Sequence, residues 1–121
     1  MISGEFSAKG ELVFEIDLIG ADGEPVPVNA VLDTGFTGWL VVDNQDAESL
    51  DWLLAPVQQK MQTATGEASF NAYLGTVVLD GEEFTIPVLG ANQLENILLG
   101  VRWLERKRLV SDFPAGVLTL G

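Results

Sequence analysis

With 121 residues, 47% of them hydrophobic, the chain is long enough for one packed core and too short for two, so a single domain over residues 1–121 is expected. Six Lys and Arg against 18 Asp and Glu leave a formal net charge of −12, which repels nucleic acid and anionic membrane surfaces, and neither is expected as a partner. Cysteine and histidine are both absent, which excludes disulfide frameworks, Cys or His metal sites, Ser-His-Asp triads and Cys-His pairs within the chain. Carboxylate chemistry, acid-base work by Lys or Tyr, or no chemistry at all remains.

The opening stretch, MISGEFSAKGELVF, lacks a basic segment followed by a long apolar one, and no run of about 18 apolar residues occurs. A soluble, cytoplasmic protein is therefore expected. From Glu11 to Ile19 the letters alternate, with Leu12, Phe14, Ile16 and Leu18 on one face, the period of a half-buried strand. GADGEP reads as a turn, since Asp22-Gly23 accepts positive φ and Pro25 discourages further pairing. A second strand, Val26 to Leu32, runs into Asp33-Thr34-Gly35, and a third covers Trp39 to Val42. The apolar flanks of Asp33 predict that it lies deep in the protein, where a lone charge is costly.

The period then changes. Ala47, Leu50, Leu53 and Leu54 recur at helical spacing, with Asp43 or Asn44 as cap and Pro56 as stop. Gln58 to Tyr73 reads as a long hairpin with a polar tip around Thr65-Gly66, and Thr76–Leu79 with Phe84–Leu89 as another around Asp80-Gly81. A loop, GANQLEN, leads to Ile97–Gly100. VRWLERKRL, with Val101 and Leu104 or Trp103 and Leu109 inward, fits one amphipathic helix, and AGVLTLG a last strand. A weak repeat links LIGADGEP…AVLDTG with VVLDGEEF…NILLG, each a hairpin with Asp-Gly-Glu at its turn and then an apolar strand ending in glycine. Two halves related by a twofold are expected from it, with the longer second spacing absorbed near Asn92.

An apolar strand ending in Asp-Thr-Gly, a polar-tipped hairpin, then Ile-Leu-Leu-Gly before a helix and a short last strand resembles the retropepsin-like aspartic proteases, over nearly the whole length from Glu11 to Leu120. The order of the parts carries the resemblance more than the tripeptide does. It implies an all-β, retropepsin-like acid-protease barrel with one short C-terminal helix. It also implies a catalytic aspartate at Asp33, a hydroxyl at Thr34 supporting paired active-site loops, and Gly35 beside the bound carbonyl. Ala64, Thr65, Gly66 and Glu67 match the flap over a bound peptide, and Ile97, Leu98, Leu99 and Gly100 the strand supporting the active-site loop. Phe36 and Thr37 stand where the family often has Ala and then Ser, Asp or Glu, and Val101 precedes Arg102 where retroviral members place an Arg, so their dimer ion pair is not carried over.

The chemistry implied is that of two carboxylates sharing one proton, because like charges about 3 Å apart cannot both ionise. One deprotonates a water while the other, protonated, hydrogen-bonds the scissile carbonyl. One chain holds one such motif, so the second Asp33 comes from a second copy about a twofold axis, and a homodimer acting on a peptide or protein, with no metal and no cofactor, is expected. Two other readings use the same residues: a noncatalytic peptide-binding or dimerisation module with this fold, and a partner subunit whose motif is vestigial. Asp33-Thr34-Gly35 also suits an ordinary strand-to-turn corner, and Thr65-Gly66 an ordinary hairpin turn. Trp39, Trp52 and Trp103 are expected in the core or a dimer contact, Arg102, Arg106, Lys107 and Arg108 on a solvated helix face or paired with Glu105, Asp112 or the partner, and Glu82 and Glu83 as solubility charges.

Overall fold

The computed structural model describes residues 1–63 and 65–121. In chain order the elements are β1 (Ile2–Ser3), β2 (Glu5–Phe6), β3 (Leu12–Ile19), β4 (Pro25–Asp33), β5 (Leu40–Asp43), helix α1 (Asn44–Ser49), β6 (Leu53–Leu54), β7 (Gln59–Thr63), β8 (Gly66–Leu79), β9 (Glu82–Ala91) and β10 (Ile97–Gly100). A 3-10 helix, Val101–Glu105, then precedes β11 (Leu109–Asp112) and β12 (Val117–Leu120). β3 alternates as its letters require: Phe14, Ile16 and Leu18 are buried and Glu15 is exposed. Asp80 and Gly81, both at positive φ, make the two-residue turn between β8 and β9, a geometry whose twist matches that of the flanking strands.

β3, β4, β10, β5, β9 and β8 pair in that order, and β8 pairs back onto β3, so the sheet closes into an all-β barrel. β1, β12 and β11 form a separate three-stranded sheet. Exchanging β3, β4 and β5 for β8, β9 and β10 leaves the pairings unchanged. The β3–β4 hairpin becomes the β8–β9 hairpin, the parallel pair β4–β10 becomes the parallel pair β9–β5, and the antiparallel pairs β3–β8 and β5–β10 map onto themselves. The expected halves are present in this sense, with one change of correspondence. β10 is the parallel partner of β4, and the true counterpart of β4 is β9.

Both halves press their apolar faces into one cluster, in which Phe14, Leu40, Val42, Val77, Val88, Leu99 and Trp103 are fully enclosed. Trp103 anchors it. Its indole N–H donates to the Trp39 carbonyl at 2.7 Å, and its ring meets Trp39 and Phe84 edge-on, each with centroids 5.0 Å away. Trp52 is buried too, donating its indole N–H to the Ile19 carbonyl at 2.8 Å, and Trp39 is half-buried.

The helical segments are shorter than their patterns suggest. Asp43 caps α1 by accepting the Gln45 N–H at 2.9 Å, but the chain leaves the helix at Leu50 and turns through Asp51 at φ 55°. Leu53 and Leu54 therefore extend along β8 as β6 and are 71% and 54% exposed. Toward the C-terminus the helix is the single 3-10 turn, with Trp103 inward and Leu104 half-buried, and Leu109 already lies in β11. β8 runs without a break through Gly75, where a Cβ would come within 2.9 Å of the Trp52 ring and of Val88.

Lys107 leaves the basic cluster to join a different set of acids from Glu105 and Asp112. Its amine donates to Glu82 at 2.8 Å and to Asp80 at 3.3 Å, so Glu82 is an ion-pair partner rather than a solubility charge. Asp80 also accepts from the Met1 amine. That bond, opposed by burial and aided by Lys107, holds the Asp80 carboxyl below its ordinary value, while the bond to Glu82, opposed by burial and aided by Asp80, raises Lys107. A depressed carboxyl stabilises the fold above its ordinary pKa and ceases to do so as pH falls through the lowered one; a raised lysine stabilises below its ordinary pKa and ceases as pH climbs through the raised one. Urea midpoints of wild type and Asp80→Asn should accordingly differ at neutral pH and converge as pH falls below the usual carboxylate range. A gap that persists undiminished in strong acid would remove Asp80 from this account.

Candidate active site

β4 stays in the core through Leu32, 6% exposed, and surfaces at its last residue. Asp33 is exposed in the single chain, as are Thr34 and Gly35, so the expectation of a deeply placed acid is corrected. The strand ends there because the chain bends away at once. Asp33 Oδ1 accepts the Gly35 N–H at 2.9 Å and the Asp33 carbonyl accepts the Phe36 N–H at 3.1 Å, a local turn that fixes the carboxylate's orientation. A Cβ on Gly35 would come within 3.1 Å of that same oxygen. The Thr34 hydroxyl has no hydrogen-bond partner among the described residues.

The loop that carries Asp33 is held from the other half of the barrel. Gly100 lies opposite Asp33 in the parallel β4–β10 register, as Leu99 lies opposite Leu32. Three backbone N–H groups then tie the loop down: Gly100 to the Trp39 carbonyl at 2.9 Å, Val101 to Phe36 at 2.8 Å and Arg102 to Gly38 at 3.3 Å. No side chain fits between the two segments, since a Cβ on Gly100 would drive into the Gly38 carbonyl and come within 2.8 Å of the Phe36 ring. Ile97–Gly100 supports the motif as its sequence suggested.

Between this loop and the β7–β8 hairpin lies a cleft of about 700 Å³, a volume suited to several side chains of an extended peptide. Asp33, Gly35, Phe36 and Thr37 form one wall, Lys60 to Thr63 and Phe70 the other, and Leu89, Leu94 and Leu98 lie between. A second groove of about 380 Å³ adjoins it across Phe36, Thr37, Met61 and Leu89, with Arg102 also in its lining. Of the expected flap residues, Ala64 lies outside the described residues. Thr65 and Glu67 are exposed and Gly66 opens β8 at φ 120°, opposite Thr63; none of the three lines the cleft of the single chain. The walls come instead from the hairpin's shank. Met61 and Thr63 are half-buried while Lys60 and Gln62 are exposed, an alternation visible in QKMQT but easily missed in so polar a stretch.

Asp43 links the cleft to the fold, because its second carboxylate oxygen accepts the Leu94 N–H at 3.2 Å while the first caps α1. Asn44 sits beside it in a polar cluster, accepting from Tyr73 and Asn71 at 3.2 Å each and donating to Asn92 at 2.8 Å. Among the described residues no group of three acids is placed to hold a metal ion.

Comparison with solved structures gives three likenesses. A retropepsin-like aspartic protease from Rickettsia conorii is 25% identical with a TM-score of 0.73, over 98% of this chain and 88% of that one. The EIAV protease, solved in complex with the inhibitor HBY-793, is 17% identical with a TM-score of 0.63, over 83% and 90%. The simian foamy virus (mac) protease is 23% identical with a TM-score of 0.53, over 80% and 99%. No family model and no curated protein matches the chain. The fold is retropepsin-like, and the likeness to the Rickettsia conorii protein points to protease function.

If the Gly100–Gly38 contact holds the Asp33 loop, Gly100→Ala should lower stability by about 1–3 kcal/mol, the usual cost of forcing a methyl into a filled space. Urea denaturation measures it. A change within about 0.5 kcal/mol, the range of inert surface substitutions, would mean the two segments are not in contact.

Proposed function

We propose that this retropepsin-like chain is a single-domain aspartic endopeptidase that acts as a homodimer. One observation carries the reading: a carboxylate with a fixed orientation stands exposed at the wall of a peptide-sized cleft, on a loop locked from behind. A single Asp33 cannot be both base and acid in the same step. Two copies facing each other across a twofold would bring two Asp33 side chains together, and their mutual repulsion would hold one proton between them.

In that arrangement the ionised Asp33 takes a proton from a water whose oxygen attacks the scissile carbonyl carbon. The protonated Asp33 of the other copy hydrogen-bonds the carbonyl oxygen as it gains charge. The tetrahedral adduct collapses with cleavage of the C–N bond, and the leaving nitrogen takes up the proton gathered from water. The scheme uses no metal and no cofactor. Gly35 lets substrate backbone approach, Thr34 offers its hydroxyl to the facing loop, and the tip at Ala64, Thr65, Gly66 and Glu67 closes over the peptide as a flap. The polar character of the tip supports this last role, because little apolar burial holds it in one position.

Asp33→Asn should cut peptide cleavage by about 10²-fold or more while the chain still folds, since Asn nearly preserves shape but cannot take a proton from water. Activity should also fall at alkaline pH, once the pair has lost its shared proton. Mixing the variant with wild type distinguishes one chain from two. With verified subunit exchange, activity should follow the square of the wild-type fraction. A linear fall would mean that each chain works alone, and a wild type that binds peptides yet cleaves none at any pH would be a binding module.

A further inference from the structure

Acids outnumber bases three to one in this chain, 18 against 6, yet the two adjoining grooves reverse the balance. Among the described residues their charged lining consists of Lys60, Arg102 and the single acid Asp33. Neither Lys60 nor Arg102 has a carboxylate within ion-pair distance among the described residues, whereas Lys107 is engaged twice and Lys9 reaches Glu95. Both are exposed, Lys60 on the hairpin strand β7 lining the larger groove and Arg102 at the start of the 3-10 helix lining the smaller one, and the two grooves share Phe36, Thr37, Met61 and Leu89.

We infer that the two grooves select peptides that carry a carboxylate side chain a few residues from the scissile bond, held by Lys60 or by Arg102. The inference rests on the proposed peptide site and specifies its substrate class. The shared Phe36, Met61 and Leu89 offer nothing to a charged side chain, while the two cations lining the grooves have no ion-pair partner among the described residues. The overall charge of −12 acts the other way and repels an acidic peptide. Distance decides between them: at physiological salt the screening length is about 8 Å, so charges lining the groove act more strongly on a bound peptide than charges elsewhere on the surface.

The test uses acetylated, amidated peptides, in which the only carboxylate is a side chain, as pairs identical except for Glu or Gln flanking an apolar core. Binding is measured by fluorescence anisotropy on the Asp33→Asn chain, so that no cleavage is needed. The Glu peptide should bind about threefold or more tighter in ~0.1 M salt, as exposed ion pairs allow. The preference should vanish in a Lys60→Gln, Arg102→Gln variant. Raising the salt should shrink the Glu-over-Gln ratio if the groove cations dominate, and would enlarge it if the overall negative charge did. Equal affinities, a preference that survives the double substitution, a ratio that grows with salt, or no binding of either peptide would each overturn the inference. Glu-selective binding by a wild-type chain that hydrolyses nothing would instead overturn the endopeptidase and leave the selectivity standing.

Discussion

A carboxylate at the tip of a strand is useful only if the tip cannot move, and here the restraint is the parallel pairing of β4 with β10. It sets Gly100 against Asp33, brings Gly38 so close that only glycine fits at position 100, and delivers three successive N–H groups to the carbonyls of the loop. The fully enclosed Leu99 and Trp103 flank Gly100 and fix it from the core side. Barrel closure, the loop and the cleft follow from this one junction. The strand order leaves β10 no other place, because β5 occupies its remaining edge.

The surface position of Asp33 has its own logic. No charged side chain among the described residues is fully buried, and in the isolated chain Asp33 itself faces water. An acid that functions away from water must then acquire its dry surroundings from something added to the chain, whether peptide or second copy.

Much of this was legible in the letters. β3 could be read because one of its faces meets the core and the other does not, and the Asp80-Gly81 turn because its backbone admits few residue types. The Asp-Thr-Gly corner and its glycine support were legible as a family pattern. The exposure of Asp33 was not, since apolar neighbours in sequence report the strand's burial and not the point at which it leaves the core. Leu53 and Leu54 mimic helical spacing, but the left-handed turn at Asp51 and the pairing with β8 override it. The correspondence of β4 with β9 was hidden for another reason: pairing partners and symmetry equivalents are both apolar strands, and only the register separates them. Charges paired across distant turns, as Lys107 is with Asp80 and Glu82, leave no local trace at all.

The same junction governs how the molecule must come into being. Ile97 and Ala30, its first paired residues, are separated by more than half the chain, so the entropy of closing that loop is incurred before any contact there repays it. The β3–β4 and β8–β9 hairpins need only short loops and are able to form early, while the seam between them waits for both. Until it zips, Asp33 lies on an untethered turn with no opposing wall. A nascent or half-folded chain therefore carries the acid without the groove, and the cleft becomes a property of the finished barrel alone.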